Sequence, residues 1–94
     1  MVEVHWFDPE LLKMFLDERL IERVEEQIKN LDPTRFELLG EYEESGDEIV
    51  LEEPDPSEGR SVKVVKHEGR IMVVFGVWEH GGFVEEHFIG EIKL

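Results

Sequence analysis

The chain has 94 residues, a formal charge of −14 and no cysteine. That length holds a single domain, residues 1–94, with one modest core, and the missing cysteine excludes disulfides and Cys-based zinc sites and suits a reducing cytoplasm. Direct nucleic-acid binding, which needs Lys and Arg beside phosphates, is disfavoured by a balance of 24 acids to 10 bases, and neither a signal peptide nor a membrane span is expected when the longest apolar run, IMVVFGVW, is so short.

The first element is a helix. Asp8-Pro9-Glu10 is a start signal, because Asp accepts from early backbone amides, proline tolerates the first helical position, and Glu suits the positive end of the dipole. Good helix formers continue to Lys29-Asn30 and Pro33 forbids much extension, so the helix is expected over about 9–30. Leu12, Leu16, Leu20, Val24 and Ile28 form an i, i+4 stripe facing a sheet, with Ile21 beside it. Leu11, Met14 and Phe15 lie off that stripe, and Trp6 and Phe7 precede it. The apolar surface at the helix start is therefore wider than one core face requires. A hydrophobic staple of Trp6 or Phe7 on Leu11 or Leu12 accounts for part of it. The functional alternative is a docking patch of Trp6, Phe7, Leu11, Met14 and Phe15, rimmed by Lys13, Asp17 and Glu18.

Beyond the helix, period-2 segments predict about five antiparallel strands. RFELLGEYEE, from Arg35, reads as a strand joined through Ser45-Gly46 to EIVLEE, with Tyr42 opposite Ile49. Residues 36–59 hold ten acids and no Lys or Arg, which reads first as a solvated face and second as attraction to a basic partner or mimicry of a nucleic acid. PDPSEG, residues 54–59, is a polar loop and the segment expected to move most.

Two hairpins complete the chain, with turns at Glu68-Gly69 and Gly81-Gly82. The second turn sets Phe75 opposite Phe88, Ile71 opposite Ile92 and His87 opposite Gly76. Met72, Val74, Trp78 and His80 then form a second face against Glu91, Ile89, Glu85 and Phe83. A strand apolar on both faces needs a second cover: a sheet that curls over, the segment Val4–Phe7, or another subunit.

The chemistry-bearing residues give weaker signals. A metal site on His80 and His87 fails on register, since the two stand two pairs apart, so no metal or other cofactor is expected. His87 beside Glu85 makes a candidate general-base dyad, without a nucleophile motif to accompany it. Histidine protonation near pH 6 beside so many carboxylates would also make a contact pH-sensitive. A pocket lined by Met72, Trp78, His80, Phe83, Glu85 and His87 is the ligand-binding alternative.

The expected fold class is α+β, one N-terminal helix packed on a curved antiparallel meander. That layout is similar to cystatin-like folds in architecture alone, and it hosts inhibitors, ligand carriers and enzymes alike. The charged fraction of 36% and the absence of alanine lean towards a thermophilic source and equally suit an engineered scaffold. The leading functional expectation is a non-catalytic, cytoplasmic protein-binding module that engages a protein partner or a second copy as a homodimer. A pocket protein and a small His/Glu enzyme are the alternatives.

Overall fold

The computed structural model describes the backbone of residues 2–53, 58–79 and 82–94, and the side chains of these except Glu58, Trp78, Phe83 and Val84. It is an α+β fold in which helices pack on a five-stranded antiparallel sheet, whose strands β1 (Glu3–Trp6), β2 (Ile49–Glu52), β3 (Glu58–His67), β4 (Arg70–Glu79) and β5 (Gly82–Lys93) lie in the order β1-β5-β4-β3-β2.

The chain enters as a strand, β1 (Glu3–Trp6), paired at the sheet edge with β5 (Gly82–Lys93) so that Val4 faces Ile92 and Trp6 faces Gly90. Helix α1 (Pro9–Phe15) starts where the sequence places it: the Asp8 carboxylate accepts from the amides of Glu10 and Leu11, both at 3.1 Å. The continuous helix over 9–30 is corrected. Leu16 is extended (φ −129°, ψ 134°), and Asp17 caps a second helix, α2 (Glu18–Asn30), by accepting from the Leu20 amide at 2.9 Å. An aspartate within a helical run competes for backbone amides, and here packing rewards that competition. The break turns Phe15 inward, where its ring stacks on Phe75 at 4.7 Å between centroids. The stripe itself survives the break, with Leu12, Leu16, Val24 and Ile28 buried and Leu20 half-buried.

The second correction concerns residues 35–44, expected as a strand. They lie in two short helices and the turn between them, α3 (Pro33–Glu37) and α4 (Tyr42–Ser45). Asp32 and Pro33 repeat the cap-and-proline start of α1, and Phe36 and Leu39, three apart, are the residues buried. Full burial of a phenylalanine contributes about 1.5–3 kcal/mol, more than the alternation of this segment can recover at a sheet edge. Leu38, expected beside Phe36 on one strand face, is left 80% exposed. Gly46, at φ 72°, ends α4 instead of turning a hairpin. Ile49 consequently pairs with Val64, not Tyr42.

Strand β2 (Ile49–Glu52) leads into β3 (Glu58–His67) and β4 (Arg70–Glu79). Of the loop expected at 54–59, residues 54–57 lie outside the described residues, and Glu58 and Gly59 already belong to β3. The Glu68-Gly69 turn is as expected: both residues have positive φ (51° and 78°), and His67 pairs with Arg70. The last hairpin differs. Glu79 pairs with Gly82 instead of Val84, and of the expected turn Gly81-Gly82, Gly81 lies outside the described residues and Gly82 belongs to β5. Irregularities between Val73 and Val74 and between Val77 and Trp78 each absorb one residue. Met72 still faces Glu91, as expected, but Phe75 faces His87 and Val74 faces Phe88.

One core lies between the helices and the sheet, built from the α1/α2 stripe, Phe36, Val62, Val64, Val73, Phe75, Ile89 and Ile92. A smaller cluster of Val65, Met72 and Val74 lies on the opposite face, packed against Tyr42 of α4. None of the three expected covers matches this contact. The segment 4–7 joins the sheet edge, the sheet is open, and Tyr42 belongs to the same chain.

Candidate functional site

The structure divides the five expected patch residues. Trp6 is half-buried: a Cβ on Gly90 would lie 2.8 Å from its Cε3, and its indole N–H donates to Glu25 at 3.4 Å. Phe15 is half-buried between Phe75 and the His87 ring, 4.9 Å away. Phe7, Leu11 and Met14 point outward, at 44%, 44% and 76% exposure.

Phe7 and Leu11 border a groove of about 310 Å³ between α1 and β5, and Met14 lies outside its lining. Phe7, Leu11 and Phe15 line one wall, and His87, Phe88 and Ile89 the other. Phe88 is 45% exposed and was missed from sequence, because the regular register pairs it with Phe75 in the core. The bulge between Val73 and Val74 instead pairs it with Val74, on the face opposite the main core, where its ring stacks on His67 at 4.8 Å between centroids, and no local sequence signal announces that bulge. The groove has an acidic margin in Asp8, with Glu10 in the first turn of α1; Glu86 also lines it, with its carboxylate paired to Lys63.

The same shift brings His87 to the helix-covered face, where its Nε2 lies 3.0 Å from Glu85 Oε1. The expected dyad thus exists as a contact on the groove side, with both side chains well exposed (39% and 54%). Such a pair can relay a proton but has no nucleophile beside it among the described residues. Thr34 is in α3, Ser45 in α4, and Ser61 is buried with an unpartnered Oγ. The six expected pocket residues are not brought together. Met72 is buried on the face opposite His87, Trp78 and Phe83 are paired positions whose side chains are outside the description, and His80 lies outside the described residues. Among the described residues no group of three or more His, Cys, Asp or Glu could hold a metal ion.

Comparison with protein-family models, curated proteins and solved structures gave no match.

Behind the groove the second face is pinned by Lys63, whose side chain is 1% exposed. Its Nζ donates to Tyr42 Oη at 2.8 Å and Glu86 Oε1 at 3.2 Å, and lies 3.0 Å from Glu48 Oε2. Burial pushes the Lys63 ammonium down, but bonds to Tyr42, Glu48 and Glu86 outweigh it and hold the group above the ordinary lysine value. Glu86 therefore links the groove margin to the lysine that fastens α4. In sequence Lys63 sits between Val62 and Val64 in VKVVK, which reads as a solvent-facing lysine.

Proposed function

We propose that the protein is a non-catalytic protein-binding module whose docking surface is the α1/β5 groove, with Phe7, Leu11 and Met14 as the leading contacts. The observation that carries this is contiguity: the exposed Phe7 and Leu11 line a concave surface together with Phe15 and Ile89, and the exposed Met14 stands at the end of the same short helix. Isolated exposed apolar residues are ordinary, whereas a connected patch with a charged margin is the composition of an interface centre. The acidic margin and the formal charge of −14 favour a different protein over a second copy, because two such chains repel at long range. The fitting partner is an apolar segment flanked by Lys or Arg. The absence of cysteine suits a cytoplasmic setting, and among the described residues no helix is long and apolar enough to cross a membrane.

The test uses a fluorescent synthetic amphipathic peptide, Leu on one face and Lys on the other, read by anisotropy. Leu11→Asp with Met14→Asp is expected to weaken binding by about 30-fold or more without changing the thermal melt, as for the anchors of an interface centre. Glu43→Lys with Glu44→Lys, in α4 away from the groove, is expected to change it by less than about threefold. Equal losses in the two variants would reduce the binding to bulk charge and overturn the reading. A dimer by solution mass, abolished by Leu11→Asp with Met14→Asp, would replace the basic partner by a second copy.

A further inference from the structure

We propose that the cleft opened by the break between α1 and α2 is a separate binding site for a small amphipathic anion, a carboxylate head group on an apolar body. The cleft encloses about 390 Å³, within the range of small-molecule sites. Its walls include Phe15, Leu16, Leu20 and Val62, of which Leu16 and Val62 are each 1% exposed. Three of the five arginines in the chain, Arg19, Arg23 and Arg60, stand around it.

Their pairing is uneven. Arg23 is spent on Glu52, with Nε to Oε1 at 3.1 Å and Nη2 to Oε2 at 2.8 Å, and Gln27 adds a third donor to Oε1 at 2.8 Å. That lattice braces the wall and leaves Glu52 little capacity for other donors. Arg19 and Arg60, by contrast, make no ion pair among the described residues, in a chain where acids outnumber bases 24 to 10. Asp17 and Glu52 also line the cleft, Asp17 accepting from the Leu20 amide as the cap of α2 and Glu52 held by Arg23 and Gln27, so three guanidinium groups face two carboxylates that already have partners. Guanidinium is the group whose planar fork matches a carboxylate, and it is weakly hydrated enough to work beside an apolar wall. The cleft thus combines two guanidinium forks that make no ion pair among the described residues with a place for hydrocarbon.

Decanoate serves as the probe, with decanol as its neutral counterpart, titrated against methyl NMR signals of Leu16, Leu20 and Val62. Decanoate is expected to shift these methyls saturably below ~1 mM, and decanol at least about tenfold more weakly. Arg19→Gln with Arg60→Gln, both exposed positions, is expected to weaken decanoate about tenfold or more while leaving decanol unchanged. Arg35→Gln, which removes the same type of charge from α3, is expected to leave decanoate unchanged. The proposal is overturned by equal binding of decanol and decanoate, by no saturable shift, by an Arg35→Gln effect as large as that of the double variant, or by shifts confined to Leu11 and Ile89 in the α1/β5 groove.

Discussion

Lys63 shows how much one side chain decides here. Its ammonium is taken out of water between the sheet and α4 and compensated by a phenol and two carboxylates that are themselves about one-third exposed. Removing it strands those partners and leaves a void under α4, so Lys63→Ala is expected to cost about 2–4 kcal/mol in urea unfolding. Lys63→Met, which keeps the volume and drops the charge, is expected to stay within about 1 kcal/mol of wild type. The pH dependence follows from the direction of the shift. Because the folded pKa is raised, the stabilising term is fully present below the unfolded lysine value, 10.5, and is lost as pH climbs through the folded one. An alkaline titration of the urea midpoint is expected to fall above that point in wild type and more shallowly in Lys63→Met. Nothing in VKVVK discloses this role, since alternation distinguishes two faces but does not say that both are covered.

Among elements, the short N-terminal strand depends most on a single backbone position. Gly90 faces Trp6, and a Cβ there would meet Trp6 Cε3 at 2.8 Å and the backbone oxygen of His5 at 3.0 Å. The oxygen cannot swing aside as a side-chain tip would. Gly90→Ala is therefore expected to cost about 1–3 kcal/mol and to raise hydrogen exchange at the β1 and Phe7 amides ahead of the rest of the sheet. Phe7 is tied to the same edge by its amide bond to the Ile89 carbonyl at 3.1 Å, so loosening β1 also loosens one wall of the α1/β5 groove. The groove is thus built by element placement. Its Leu11 and Phe7 were visible as an excess at the helix start, whereas His87 reached it only through a shift of register.

At the scale of the whole molecule, charge is the governing term. A formal −14 on a body whose Cα radius of gyration is 12.7 Å makes the folded state repel itself. Salt screens that repulsion, so the melting temperature is expected to rise by several degrees between about 20 and about 500 mM NaCl, measured by circular dichroism. A fall over the same range would mean that the ion pairs of Lys63, Arg23 and Arg70 outweigh the repulsion among unpaired carboxylates.

Taken alone, the amino-acid sequence determined the features whose causes are local. The Asp8-Pro9 start, the Glu68-Gly69 turn and the stripe from Leu12 to Ile28 each rest on residues a few positions apart, and each stands where the pattern put it. The α+β class and the antiparallel sheet followed from the change of apolar period. Tertiary structure decided the rest. The break at Leu16 exists because Phe15 gains Phe75, the helices at 33–45 because Phe36 finds the core and Tyr42 a second face, and the bulges in β4/β5 because side chains eight or more residues apart must reach their faces together. Local preference at those positions is nearly balanced, and burial of distant partners tips it.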